Sequence, residues 1–412
     1  MSREMKDSKI QWIGEIPQEW EIIKNKYIFK RRNNKVAEKY IDYQLLSLTK
    51  KGIVKKDVNE TGGKLPASFS TYQEVQKDDI VLCLFDLDVS AVFSGISKYP
   101  GMISSAYDVF KTNQESVPDY YDYLFQAIGF DRLYLPFSKS LRKTINEENF
   151  NSIFSIKPPL NEQLKIVDFL HKSTMNINNI IVQTQKSIEE LKKYKQSLIT
   201  EAVTKGLDPN VEMKDSGIDW IGDIPKHWNI KKIKYTTSTI DTKKDFVKED
   251  IYIGLENVLS YEGRINDYGK LVTDSKEKYF EKGNILYSKL RPYLAKAFIA
   301  DITGGCSGEF IVFESFKGNK RYLLYWLISQ LFTDFINATS YGAKMPRSSW
   351  DYIKETSIPR PPKHEENEIV SYLDDKSSQI NKLIENKTKV IKELETYKKS
   401  LIYEYVTGKK EV

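Results

Sequence analysis

The sequence predicts an α+β protein: two mixed α/β domains and two long antiparallel coiled-coil helices, arranged as a pseudo-two-fold internal repeat. Three observations predict it. Residues 7–27 (DSKIQWIGEIPQEWEIIKNKY) return at 215–235 (DSGIDWIGDIPKHWNIKKIKY) with 13 of 21 positions identical. Residues 158–204 return at 361–407 with 21 of 47 identical, and both copies carry a heptad pattern. Between the echoes, short strand-like runs alternate with turns in each half. The expected boundaries are a first domain at 1–157, a central helix at 158–207, a second domain at 208–360 and a last helix at 361–412. A chain that behaves like a dimer suits a target with two halves.

Each domain opens on W-I-G-x-I-P-x-x-W. In the first, Asp79–Leu84 and Tyr107–Phe110 read as strands; in the second, Asn284–Tyr287 and Phe310–Phe313 take the corresponding places. One amphipathic helix is expected in each, around Tyr120–Phe130 and Tyr322–Ile336. Pro158-Pro159 and Pro361-Pro362 then bar a helix from extending upstream, and Gly206 and Gly408 are natural terminators. Steps of three and four pick out Val167, Leu170, Ile177, Ile181, Ile188, Leu191 and Leu198 in the first long helix. The same steps pick out Val370, Leu373, Ile380, Ile384, Ile391, Leu394 and Leu401 in the second. That period is a coiled-coil seam. Polar residues interrupt it at matching points: Thr174 with Ser377, Thr184 with Lys387, Lys195 with Lys398. Such residues cost stability and can fix register. At 1.5 Å per residue, roughly 45 residues span about 65 Å, a length suited to holding things apart. Pairing within one chain is the simplest arrangement; separate bundles or a homodimer are the alternatives.

Composition bounds the function classes. The 412 residues suffice for two or three cores, and 26 Tyr, 19 Phe and 6 Trp exclude a disordered chain. The net charge of +6 permits a polyanionic partner without requiring one. Two distant cysteines, Cys83 and Cys306, exclude a disulfide framework and a cysteine zinc site, as suits a reducing cytosol. The N-terminus has no apolar signal-like run and no stretch reaches 18 apolar residues, so a cytoplasmic protein with no membrane partner is expected.

Catalytic chemistry is hard to find. The sequence has no phosphate loop, no Gly-rich dinucleotide fingerprint and no Asn-Pro-Pro-Tyr-like tetrapeptide of a base-flipping amino-methyltransferase. His171, His227 and His364 lie in repeated segments, yet none is matched by a histidine in the other copy. Solvent-facing histidines explain them more simply than a metal or acid–base site. Asp78-Asp79 and Asp374-Asp375 read as a turn and a helix face. No catalytic residue and no metal site are assigned.

Basic residues do cluster beside turn residues within the diverged stretches. The candidates for DNA contact are Arg31, Arg32, Asn33, Lys50, Lys139, Arg142 and Lys143 in the first half. In the second they are Lys243, Lys244, Lys289, Arg291, Lys344 and Arg347. Short hydroxyl side chains beside Lys and Arg suit phosphate oxygens, while Arg, Asn and Gln reach base edges. The clusters at 138–143 and 340–347 occupy equivalent ground. Where the second half has Lys289-Leu290-Arg291-Pro292-Tyr293, the first has Leu84-Phe85-Asp86-Leu87-Asp88. Carboxylates replace cations there, so the halves are suited to different bases; a solvated loop that touches no DNA is the plainer account.

In this order, twice, the motifs resemble the specificity (S) subunits of type I restriction–modification systems. The W-I-G-x-I-P-x-x-W opener is similar to the lead-in of a target recognition domain. Lys282–Leu294 (KGNILYSKLRPYL) with Gly305-Cys306-Ser307 is similar to the middle of one. Ser155–Gln163 and Ile358–Pro362 resemble the entry to its spacer helix. The resemblance implies a non-catalytic subunit that holds two target recognition domains apart on antiparallel helices and reads a bipartite DNA site. It implies as partners double-stranded DNA, two modification (methyltransferase) subunits and restriction/translocase subunits. It also implies that this chain binds no cofactor, with S-adenosylmethionine, ATP and Mg²⁺ used by those partners. The first domain departs from the Leu-Arg-Pro-Tyr pattern. A self-contained nuclease or methyltransferase with a dispersed active site is the rival from another class, and a protein-binding coiled-coil adaptor is a second.

Overall fold

The computed structural model describes residues 3–57, 69–90, 93–138, 141–342 and 344–412. The chain divides into two compact units, one of Met1–Gln183 with Lys389–Val412, the other of Thr184–Thr388. The division runs through the long helices, so each unit contains part of both.

In the first unit the lead-in forms an antiparallel pair, Met5–Asp7 with Glu15–Pro17, and then the strand Glu21–Lys24, which pairs with Phe154–Lys157. A four-stranded antiparallel sheet follows in the order Phe29–Arg31, Asp108–Thr112, Ile80–Leu82, Ser94–Ile96. Helix Pro118–Phe130, with proline at its first position, buries Tyr120, Tyr121, Leu124 and Phe125. Proline costs nothing there, because that N–H has no partner within the helix. The core joins these rings to Phe29, Phe110 and Phe150, and to Ile166, Leu170, Leu401 and Val406 of the two helix segments.

The second unit repeats the plan. Met213–Asp215 pairs with Asp223–Pro225, and Asn229–Lys232 with Ser357–Arg360. The equivalent sheet runs Thr237–Ile240, Phe310–Phe316, Ile285–Ser288, Ala297–Ile299. A second sheet of Lys243–Phe246, Ser275–Phe280, Gly304–Cys306 and Tyr252–Ile253 has a parallel pair at one edge. The helix expected at 322–336 is two helices, Lys320–Ile328 and Gln330–Ala338. Ser329 breaks them apart: its backbone is extended, and its hydroxyl accepts from the Phe332 N–H as the cap of the second helix.

The long helices span Leu160–Lys205 and Lys363–Val406 and both begin directly after the Pro-Pro pairs. All fourteen apolar seam residues are buried or half-buried, whereas Ile180, Val182 and Leu383 beside them are exposed. In the first unit Phe169 packs on Tyr405 (4.4 Å between ring centres) and Lys398 Nζ donates to Asn178 Oδ1 (2.9 Å), so the segments pass in opposite directions. In the second, Lys195 Nζ donates to Asn381 Oδ1, also at 2.9 Å. The two polar seam lysines thus meet equivalent asparagines, which the heptad pattern alone did not single out. Gly206 follows one helix with φ +77°, where a Cβ would stand 3.2 Å from the Trp228 ring. Gly408 ends the other with φ +70°, where a Cβ would stand 3.0 Å from the Trp20 ring.

Candidate nucleic-acid interface

In the second unit the strand Ile285–Ser288 runs out into Lys289-Leu290-Arg291, and Arg291 takes a left-handed backbone (φ +50°) just before Pro292. The chain from 341 to 348 is stitched onto this exit. Arg291 N donates to Pro346 O (2.7 Å), Ser348 N to Lys289 O (2.9 Å), and Tyr341 and Arg347 exchange backbone bonds of 3.1 and 2.9 Å. Two cationic segments some fifty positions apart in sequence are therefore brought together.

A cavity of about 360 Å³ opens beside them, lined by Asp241, Lys278, Lys289, Glu309, Tyr341 and Arg347 among others. Arg347 Nη2 donates to Glu309 Oε1 (2.7 Å), while Arg347 Nε and Glu309 Oε2 are buried without a partner. Lys278, 7% exposed, donates to Phe310 O (3.0 Å) and pairs with Asp241 (2.6 Å). That hydrogen bond is the main reason the Asp241 carboxyl lies below its usual range; the charges of Lys289 and Lys243 add to it. The Lys289 ammonium, on the cavity lining, makes no hydrogen bond or ion pair to another described residue and is available. Lys243 lies opposite Lys278 on the neighbouring strand, and Lys244 sits over the Tyr279 ring. Lys344 is exposed in the 341–347 loop. Glu309, Lys278 and Asp241 were missed from sequence. For Glu309 the available signal was its place three residues beyond Cys306, at the entry to the strand Phe310–Phe316.

The first unit has the same frame with other residues on it. Asp86 occupies the position of Arg291, with φ +48° against +50°. Asp86 N donates to Arg142 O (3.0 Å), Leu87 N to Lys143 O (3.3 Å) and Ile145 N to Leu84 O (2.8 Å). Arg142 and Lys143 are exposed there, and Lys139 lies outside the described residues. Arg31 and Arg32 are both ion-paired within the unit. Arg31 pairs with Asp108 and Glu147, and Arg32 with Asp79. Burial pushes the Asp79 and Asp108 carboxyls up, and the two guanidinium groups oppose it. Asn33 is exposed, and Lys50 is exposed at the tip of the hairpin Leu46–Thr49 with Gly52–Lys55.

Cys83 and Cys306 are free and buried. Among the described residues no group of three or more His, Cys, Asp or Glu is placed to hold a metal ion, and no helix is long and apolar enough to cross a membrane.

A duplicated α+β frame presents different side chains at equivalent turns. Residues 222–393 match the family model of the type I restriction modification DNA specificity domain. The type I restriction enzyme MjaVIII specificity subunit of Methanocaldococcus jannaschii is 25% identical, over 96% of this chain and 93% of that one. The EcoDI specificity subunit of Escherichia coli is 23% identical, over 58% of this chain and 59% of its own length. In fold, the chain is similar to one from a structure of complex assembly and conformational transition in the type I R-M system (TM-score 0.70, 13% identity, 95% of this chain and 98% of that one). It is also similar to the HsdS subunit of Thermoanaerobacter tengcongensis (TM-score 0.51, 14% identity, 95% and 98%). The chain is HsdS-like: it resembles type I specificity subunits in sequence and in fold.

Proposed function

We propose that this chain recognises a bipartite, asymmetric DNA site and performs no catalysis of its own. Each diverged region would dock on one half-site, with phosphate contacts setting register and a few side chains setting sequence. The long helices would hold the two readers a fixed number of base pairs apart and offer a scaffold to two methyltransferase subunits and to restriction/translocase subunits. S-adenosylmethionine, ATP and Mg²⁺ would be used by those partners.

The observation that carries this reading is the pair of equivalent turns at Asp86 and Arg291. The same backbone device, built twice, displays a carboxylate in one unit and a guanidinium in the other. Arginine pairs with guanine N7 and O6, whereas aspartate accepts from cytosine N4, so two different half-sites follow. Sequencing the methylated bases in a cell that carries this gene and its partners tests it. One methylated motif with two unlike halves and a constant spacer is expected; a single continuous motif would refute it. A self-contained nuclease or methyltransferase is not favoured. Purified chain incubated with DNA, Mg²⁺ and S-adenosylmethionine should bind without turnover.

A further inference from the structure

The first unit contains a second basic surface, which begins beside the turn at Asp86, where Leu87 and Ser90 reach its lining. A cleft of about 940 Å³ lies between the hairpin tip at 49–52, the sheet edge at 94–99, helix Pro118–Phe130 and the unit's two long-helix segments. Six cations line it: Lys50, Lys51, Lys98, Arg132, Lys398 and Lys399. None of the six forms an ion pair with a described residue. Lys398 spends one hydrogen bond on Asn178, and Lys399 lies over the Phe130 ring at 5.4 Å. Of the three acidic residues in the lining, Asp122 is buried and held by Ser94 and Gln126, leaving Asp119 and Glu395 to face the cations.

The corresponding place in the second unit is built differently. There Lys195, the counterpart of Lys398, is 4% exposed and neutralised by Glu262 at 2.7 Å. The repeat thus retains a seam lysine in both units but leaves it without a carboxylate only in the first.

We infer that this cleft binds the sugar–phosphate backbone of duplex DNA, giving the first unit a stronger sequence-independent hold than the second, whose cleft carries Lys192, Lys193 and Lys205 but neutralises its seam lysine. The inference rests on the DNA-binding reading above. Six cations drawn from four separate elements are too dispersed for a single small anion, and they suit a polymer that repeats its charge. Tyr99 adds a hydroxyl of the kind that meets phosphate oxygens.

The test uses the full chain, a random-sequence 40-base-pair duplex and fluorescence anisotropy across a range of salt concentrations. Each phosphate contact adds about 0.9 to the slope of log affinity against log salt. The exposed triple variant Lys51→Gln/Lys98→Gln/Arg132→Gln should lower that slope by roughly 2 to 3. The loss should be equal on unrelated sequences, and the charge-retaining set Lys51→Arg/Lys98→Arg/Arg132→Lys should restore it. Lys192→Gln/Lys193→Gln in the second unit should change it less. Salt-dependent binding by the wild type with an unchanged slope in the triple variant would overturn the cleft alone. No binding of any duplex by the wild type would overturn the DNA-binding reading as well. An equal loss from the second-unit variant would overturn the asymmetry.

Discussion

Trp20 Nε1 donates to Glu162 Oε2 at 2.9 Å, and the bond is repeated at 2.9 Å between Trp228 and Glu365. Each carboxylate sits in the first turn of a long helix, where the helix dipole favours negative charge. Each indole ring meanwhile covers the glycine that ends the other helix. The tryptophan of the repeated lead-in therefore ties the start of one helix to the end of the other within its unit. Loss of the indole N–H should destabilise either unit by about 2 kcal/mol, the worth of a hydrogen bond to a charged group. Thermal unfolding of Trp20→Phe and Trp228→Phe measures it; unchanged transitions would show that ring packing alone holds the joint.

Lys195 presents a different balance. Its ammonium is buried against Glu262 and Asn381, so Glu262→Ala should cost about 3 kcal/mol by stranding the charge. The double variant Lys195→Met/Glu262→Met should recover most of that loss, because two desolvated charges are replaced by packed apolar chains. Denaturant titration of the three proteins compares them. A double variant as unstable as Glu262→Ala would mean that the pair is a net stabiliser.

Asp122 should make the first unit sensitive to pH. Burial pushes its carboxyl from the ordinary 3.8 up to about 6, and hydrogen bonds from Gln126 and Ser94 only partly oppose this. The folded state therefore holds its proton more tightly than the unfolded state. Its contribution is fully present below about pH 4 and is lost as pH rises through about 6. Asp122→Asn should flatten that segment of the stability–pH curve by at most about 3 kcal/mol. Parallel wild-type and variant curves between pH 4 and 7 would remove Asp122 from the account.

Arg347 should contribute to DNA affinity. Arg347→Ala is expected to weaken duplex binding roughly tenfold and to reduce the salt slope by about 1 if the contact is to phosphate. A loss confined to one base position would instead assign Arg347 to base readout. Unchanged affinity and unchanged slope would remove it from the interface.

The proposed spacer role makes its own prediction. Deleting one heptad from both long helices should change the preferred spacer length and leave half-site identity intact. Methylated-motif sequencing reads both at once, and a changed half-site with an unchanged spacer would defeat the idea.

The long helices and the lead-ins were legible in the sequence because their information is local or repeated. Heptad steps and Pro-Pro stops marked the seam, and every apolar position named there is at least half-buried. What escaped depended on partners distant in sequence. Arg32 pairs with Asp79 forty-seven positions on, and Arg31 with Glu147 across 116, so nothing near 31–32 announced those ion pairs. The break at Ser329 was missed because apolar residues continue on either side of it, and only its capping bond to Phe332 shows the interruption. At the candidate interface the basic clusters were visible. Their meeting at 289–291 and 341–348 was not, because it is made by backbone bonds between distant segments.

The first unit is closed by residues far along the chain: Tyr120 donates its hydroxyl to Val406 O (2.7 Å) and Tyr403 to Trp12 O (2.8 Å). The second unit, Thr184–Thr388, is continuous. On a ribosome the half that emerges first is therefore the half completed last. Trp20 and Tyr120 must wait, with their core unsealed, through the synthesis of the entire second unit. An early halt beyond Thr388 would yield one finished half and one open one, and the exposed aromatic core would make that product a target for chaperones and proteases.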